Sequence, residues 1–217
     1  MKVGTDACIL GASAAVEKAE TLLDIGTGTG LLAIMAAQRS TAQIDAVEID
    51  EKAFRQARQN AEQSPFAGRV RVYHQCIQDF SGGVSPRYDV IVSNPPFFRN
   101  HLLSPNPQRN KALHTATLSF EDLLGAVARL LRADGKFFVL LPVYEGRILE
   151  TAATPFGLYT SHRLMIRHSD RHPFFRTILT LGRASQPTQE DELSIYASDQ
   201  VYSDAFRLLL RDYYLIF

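Results

Sequence analysis

Hydrophobic and polar positions along this chain follow two alternating patterns. Short continuous apolar runs are typical of strands buried on both faces of a parallel sheet. Between them, apolar residues recur every three or four positions, which is typical of helices packed on a sheet. The pattern predicts strands at 21–26, 43–48, 69–74, 88–92 and 136–141. It predicts helices at 31–39, 51–63 and 120–131, the last ended by Asp134-Gly135.

The order of these elements predicts the fold class. Strand–helix–strand repeats indicate an α/β domain with a mostly parallel sheet and helices on both faces. Residues 158–167 and 174–181 alternate in the manner of exposed or antiparallel strands. We expect one domain spanning residues 1–217. Ligands of such sheets bind beyond the carboxyl ends of the strands, where the strand order reverses.

Composition limits the partners and the cellular location that we expect, but it does not identify a function. Hydrophobic residues make up 46% of the 217-residue chain and the formal net charge is zero, so any nucleic-acid surface must be a local basic patch. We find no signal peptide and no apolar run long enough to span a bilayer, and expect a cytoplasmic protein with no membrane partner. Cys8 and Cys76 lack metal-ligand spacing, so we expect no metal.

A glycine-rich turn closes the first predicted strand. Asp24 precedes Gly26, Gly28 and Gly30, and Glu48 ends the next strand. Glycines let a ligand approach the backbone, and an acid at the second strand can accept hydrogen bonds from ribose hydroxyls. The spacing is GxGxG, which disfavours a nicotinamide oxidoreductase. These residues resemble the S-adenosylmethionine (SAM) binding motifs of Rossmann-like methyltransferases, and SAM carries no phosphate for the turn to hold. A strand–helix corner without a ligand is the alternative.

A second motif, Asn94-Pro95-Pro96-Phe97, follows the fourth predicted strand. The exocyclic amine of adenine is a poor nucleophile, and two acceptors facing its protons would favour attack. The Asn94 side-chain oxygen and the Pro95 carbonyl can supply them, Pro96 stiffens the chain, and Phe97 can stack on an extruded base. The motif resembles [DNS]PP[YFW] of amino-methyltransferases, which also act on cytosine N4, guanine N2 and glutamine N5. The simpler alternative is a rigid strand terminator.

Motifs along nearly the whole chain resemble the bacterial valine-tRNA (adenine-37-N6) methyltransferase family. They are KVGTD at residues 2–6, DIGTGTGLLAIMAAQ, VEID, SNPPFF, and shorter matches near both ends of the C-terminal half. The resemblance implies a Rossmann-like, seven-stranded sheet whose last strand is antiparallel, and methyl transfer from SAM to adenine N6 of a tRNA. It implies a cofactor site formed by Lys2, Thr5, Asp24, Gly26, Gly28, Glu48 and Asn94.

Two departures from that family leave alternatives open. Its members usually carry a segment before KVGTD, whereas this chain begins at the motif, so a SAM-binding RNA module with little catalysis is one alternative. A methyltransferase acting on a protein glutamine or a ribosomal RNA base is another. The family acid at the end of the third strand is replaced by Cys76. We expect Asp79 and Phe80 to bind the SAM adenine instead, against the alternative of a capping acid and a core aromatic.

Two basic stretches predict where RNA binds. Residues 98–114 contain no acid, and residues 162–176 contain four arginines and one acid. The predicted RNA contacts are Arg99, Arg109, Lys111, Arg167 and Arg171. Solvated surface charge is the alternative. The three histidines of the second stretch are irregularly spaced and predict no metal site. We expect a tRNA substrate and infer no obligate protein partner.

Overall fold

The computed structural model describes residues 4–82, 88–95 and 118–217. The helices in these ranges are α1 (Thr5–Ser13), α2 (Leu31–Arg39), α3 (Glu51–Gln63), α4 (Ile77–Gly82), α5 (Phe120–Leu130), α6 (Val143–Ala153) and α7 (Asp204–Leu210), with a 3₁₀ turn at Thr154–Phe156. The strands are β1 (Thr21–Ile25), β2 (Gln43–Glu48), β3 (Val70–His74), β4 (Tyr88–Ser93), β5 (Leu131–Pro142), β6 (Tyr159–Arg167), β7 (Phe174–Gly182), β8 (Gln189–Ser194), β9 (Tyr196–Ser198) and β10 (Val201–Tyr202).

The main sheet has the strand order β3-β2-β1-β4-β5-β7-β6-β8, and β9 pairs with β10 separately. Only β7 runs antiparallel to its neighbours among these eight strands. The α/β class and the mostly parallel sheet are therefore confirmed. Strands β2 and β3 lie on one side of β1, and the chain then crosses to β4 on the other side. The switch point therefore lies between β1 and β4.

The sheet has eight strands where seven were predicted. The additional strand, β8, pairs in parallel with β6 at the edge. Its sequence is QEDELS, in which only Leu193 is buried, so it carries no apolar pattern that predicts a strand. The antiparallel strand is present as β7, but it lies inside the sheet, because β6 and then β8 extend the sheet beyond it.

Two hydrophobic layers cover the two faces of the sheet. One contains α1, α2 and α7 with side chains such as Leu22 of β1. The other contains α5 and α6 with Leu23 and Ile25 of the same strand, as the alternation of side chains along a strand requires. Helix α3 begins where Asp50 accepts a hydrogen bond from Ala53 N at 2.9 Å. Nowhere in the described ranges does a helix have the length and apolar character needed to cross a bilayer.

One helix end and one additional helix also differ from the sequence prediction. Helix α5 ends at Leu130, ahead of the predicted stop at Asp134-Gly135, because Leu131 already pairs with Tyr88 of β4. Residues 5–13, which no pattern assigned to a helix, form α1. The last turn of α1 is held by the Arg39 guanidinium of α2, which donates to the carbonyl oxygens of Gly11 and Ala12 at 2.8 and 2.7 Å.

Candidate active site

A cavity of about 330 Å³ opens at the carboxyl ends of β1, β2 and β4, beside the switch point. This volume lies in the range of small-molecule sites. Its described lining consists of Ile25, Gly26, Gly28, Val47, Glu48, Ile49, Asp50, Ala53, Gln75, Cys76, Ile77, Gln78, Ser93, Asn94, Pro95 and Leu118. The glycine turn, the acid of β2 and the start of the NPPF motif therefore meet around one space.

The glycine turn forms the wall next to β1. Gly26, Gly28 and Gly30 have φ angles of +71°, +60° and +84°, a region that L side chains rarely adopt. The turn is fastened to β2, because the backbone N–H groups of Gly26 and Thr27 both donate to Val47 O, at 2.9 and 3.1 Å. The result is a bare backbone surface held at a fixed distance from the second strand.

Glu48 joins this turn to the end of β2. Its Oε2 accepts from Gly28 N at 2.8 Å and its Oε1 accepts from Asp50 N at 2.9 Å. Its side chain is held in place on the cavity wall, with the residue 8% exposed. A carboxylate oxygen has two lone pairs, so each oxygen retains capacity for a further donor from the cavity, such as a ribose hydroxyl.

Asp24 lies beneath the turn and does not belong to the described lining of the cavity. Its side chain is fully buried, and Oδ2 accepts from the Thr27 hydroxyl at 2.5 Å and from Ala33 N at 3.2 Å. Oδ1 has no hydrogen-bond partner among the described residues. Burial, helped by the nearby charge of Glu48, raises the pKa of Asp24 to about 7 despite its two hydrogen bonds. Asp24 therefore shapes the cavity by fixing the turn between β1 and α2.

The NPPF motif begins on the part of the cavity wall that follows β4. Ser93, the last residue of β4, donates its hydroxyl to Ile25 O at 2.9 Å and ties β4 to β1. Asn94 and Pro95 line the cavity directly after it; Asn94 is partly exposed and Pro95 is buried. Pro96 and Phe97, the other predicted residues of this motif, lie outside the described ranges.

The wall near β3 differs from the predicted adenine contacts. In the described lining, Cys76, Ile77 and Gln78 contribute, whereas Asp79 and Phe80 do not. The Phe80 ring packs 5.3 Å from the ring of Tyr73 in the second hydrophobic layer. Phe80 thus occupies the position of a core aromatic, the alternative that its sequence context left open.

Sequence reasoning missed Ile49, an apolar side chain that is 56% exposed on the cavity wall. Its signal in the sequence was an apolar residue placed directly after the acid that ends β2. Together with Ile77 it gives the cavity apolar surface suited to a flat ring. Thr5, at the exposed start of α1, does not line the cavity among the described residues, and Lys2 lies outside the described ranges.

The predicted RNA contacts differ in whether their charge is compensated by a neighbouring carboxylate. Arg167 Nη2 lies 2.8 Å from Asp170 Oδ1 and 3.0 Å from Glu192 Oε2 of β8, so its charge is compensated. Arg171 is exposed and has no ion-pair partner in the part of the chain that the structure describes. Arg99, Arg109 and Lys111 lie outside the described ranges.

A metal site was not expected, and the described residues contain no group of three His, Cys, Asp or Glu side chains that could hold one. Of the three histidines in the second basic stretch, His162 pairs with Asp191 at 2.8 Å. His168 and His172 contact each other through their rings, with centroids 6.0 Å apart.

This chain is similar to a known protein family and to several named relatives. The family described as "Methyltransferase small domain" matches residues 4–142. A relative from Dyadobacter fermentans, named tRNA1(Val) (adenine(37)-N6)-methyltransferase, is 48% identical over 100% of this chain and 92% of its own length. A relative of the same name from Photorhabdus laumondii is 41% identical over 100% of this chain and 90% of its own length.

Solved structures share the fold at lower identity. A predicted O-methyltransferase from Agrobacterium tumefaciens has a TM-score of 0.73 at 16% identity, covering 95% of this chain and 96% of that one. Ribosomal protein L11 methylase from Lactobacillus delbrueckii has a TM-score of 0.57 at 20% identity, covering 82% and 77%. These likenesses establish the architecture around the cavity.

Proposed function

The chain belongs to the family of tRNA1(Val) (adenine(37)-N6)-methyltransferases, and from that premise we propose that its cavity binds SAM and presents it to an adenine of tRNA. Full-length identity of 40% and above to relatives of that name supports adenine 37 of valine tRNA as the target. The observation that carries the proposal is that the glycine turn, Glu48 and Asn94 meet around one cavity.

The residues on the cavity wall fit a nucleoside with an amino-acid tail. Glu48 offers two held acceptors for the ribose hydroxyls, and Ile49 and Ile77 offer apolar surface for the adenine ring. Gly26 and Gly28 carry no side chain, so the amino-acid tail of SAM would have room to pass along their backbone. When bound, SAM supplies an electrophilic methyl group.

Asn94 and Pro95 suit the nucleophile's side of the reaction. We propose that Asn94 Oδ1 and Pro95 O accept the two amino protons of the target adenine. That arrangement would draw electron density toward the nitrogen as it attacks. Pro96 and Phe97 are proposed to stiffen this segment and to stack on the base. One proton must leave the methylated nitrogen, and it is acidic enough to pass to water without a strong base.

We propose that RNA affinity comes in part from arginine and lysine side chains outside the cavity lining that the structure describes. Arg171 is the exposed, uncompensated candidate among the described residues, and Arg99, Arg109 and Lys111 remain predictions. Arg167 is retained as a weaker candidate, because two carboxylates already neutralise it. Such contacts to phosphates would fix the orientation of the tRNA and carry little sequence information.

The test uses the full chain with methyl-labelled SAM and unmodified total tRNA, followed by digestion of the RNA and identification of the labelled nucleoside. We expect N6-methyladenosine. Asn94→Ala should lower single-turnover methylation by roughly 10²–10³ while SAM affinity stays near wild type, because Asn94 acts on the amine mainly in the transition state. Asn94→Asp keeps an acceptor and should retain partial activity.

Gln63→Ala is the control, since it removes an amide side chain from the exposed end of α3, away from the cavity. It should methylate at the wild-type rate. Label found in a protein glutamine or another nucleoside would redirect the substrate assignment. If Asn94→Ala also methylates at the wild-type rate, the NPPF motif only terminates a strand.

A further inference from the structure

The hairpin between β6 and β7 projects beyond the same edge of the sheet at which the cavity opens. Strand β6 is parallel to β5, since both run antiparallel to β7, so its carboxyl end at Arg167 lies at the same edge of the sheet as Asn94. Ser93 is level with Val139 of β5, which is level with Leu179 of β7. From Leu179 the hairpin continues to Phe174, roughly 17 Å at the rise of a strand.

An aromatic pair stands at this hairpin tip, which we define as residues 167–176. The rings of His168 and Phe175 lie parallel, with centroids 4.4 Å apart and planes 4° apart. His172 meets His168 edge-on, with an interplanar angle of 79°. His168 and His172 are both exposed, while Phe175, which stacks on the His168 ring, is partly buried. An exposed flat ring that is supported from below is the form of a stacking platform for nucleobases.

The platform is held by contacts on both strands of the hairpin. Arg176 donates to Asp6 of α1 at 2.9 Å, and its guanidinium carbon lies 5.2 Å from the centroid of the Phe175 ring. Tyr196 N donates to His168 O at 2.7 Å, which fixes the backbone that carries the imidazole. A ring held in this way loses little conformational entropy when a partner stacks on it.

Most of the positive charge at this tip is compensated, and Arg171 is its exposed arginine without an ion-pair partner among the described residues. Arg167 is compensated by Asp170 and Glu192, and Arg176 is paired with Asp6. Stacking on an aromatic ring does not require net positive charge and tolerates any base, since every base has a π face. The tip lies two to three strands from β4, roughly 10–15 Å across the sheet. Because no hairpin residue belongs to the described cavity lining either, the tip lies outside the cavity.

We propose that His168 is a stacking platform for a base of the substrate RNA that lies outside the pocket of the target adenosine. The inference rests on the proposed function, because it requires an RNA substrate whose unpaired bases lie near the modified one. His168 would hold a neighbouring base of a splayed loop while the target base enters the cavity. Its role is binding and orientation, and it does not touch the reacting atoms.

The test measures binding of fluorescently labelled, unmodified tRNA to the full chain by anisotropy, at one fixed salt concentration. His168→Ala should raise the Kd for tRNA by about 5- to 150-fold, the range that corresponds to 1–3 kcal/mol for one stacked base. His168→Phe should bind nearly as tightly as wild type, because a phenyl ring preserves stacking. His162→Ala is the matched control: it removes a histidine of β6, the strand that leads into the hairpin tip, five residues before the tip begins.

Binding of S-adenosylhomocysteine, measured by calorimetry, checks that each variant keeps its cofactor cavity, which contains no hairpin residue among its described lining. A wild-type chain that neither binds nor methylates tRNA overturns the proposed function and this proposal together. If the wild type methylates tRNA but His168→Ala binds as tightly as His162→Ala, the platform alone is overturned. The same conclusion holds if His168→Phe loses as much affinity as His168→Ala.

Discussion

Replacing Asp24 by Asn isolates the energetic consequence of a buried carboxyl under the glycine turn. Asn keeps an oxygen that can accept from Thr27 and Ala33, so the fastening of the turn survives. Its amide nitrogen takes the place of Oδ1, which has no partner among the described residues. The variant therefore mimics the protonated acid at every pH, and its difference from wild type reports the ionisation of Asp24.

The sign of the effect follows from the direction of the shift. Burial raises the pKa of Asp24 from 3.8 to about 7, so between these values the folded chain holds a proton that the unfolded chain has released. Stability contributed by Asp24 must then fall as pH rises through this window. Within this window, each pH unit lowers the free energy of unfolding by about 1.4 kcal/mol. From pH 5 to pH 8 the wild type should lose about 3 kcal/mol relative to Asp24→Asn.

Urea unfolding of both proteins at pH 5, 6, 7 and 8 measures this difference. Asp89→Asn is the control. Partial burial raises the pKa of Asp89, but hydrogen bonds from Thr21, Glu20 and Arg132 lower it overall, so its stabilisation is lost only below about pH 4. Its difference from wild type should stay constant from pH 5 to 8. A flat difference for Asp24→Asn as well would refute an elevated pKa at this site.

Two further predictions address the turn and its acid. Glu48→Gln should weaken SAM binding by about 10- to 150-fold, the loss expected for hydrogen bonds to a charged group. Glu51→Gln, on the exposed surface of α3, is the control and should leave the SAM affinity measured by calorimetry unchanged. Gly30→Ala should destabilise the chain by about 1–2 kcal/mol in urea unfolding, because its φ of +84° is strained for alanine and the added Cβ would lie 3.4 Å from Ala57. Gly68→Ala, where a Cβ meets nothing within 4 Å, should cost less; equal losses would contradict the argument from conformation.

The sequence by itself determined the architecture and the components of the cavity wall. The helices at 31–39 and 51–63 and the strand at 43–48 have the predicted bounds, because their apolar spacing and caps are local properties of the chain. Parallel strands end at one edge of a sheet, so an acid or amide at the end of a predicted strand can be assigned to the candidate site from the sequence alone. Glu48 and Asn94 were predicted in this way.

Tertiary structure decided what each charge and each apolar side chain contributes. Residues 162–176 are basic in sequence, but the parallel pairing of β8 brings Glu190 and Glu192 beside Arg163 and Arg167. Ile49 lines the cavity and Phe80 packs in the hydrophobic core because of contacts between different segments of the chain. Electrostatic energy and burial depend on distances through space, and one sequence pattern is compatible with many sets of such distances until the strands have paired.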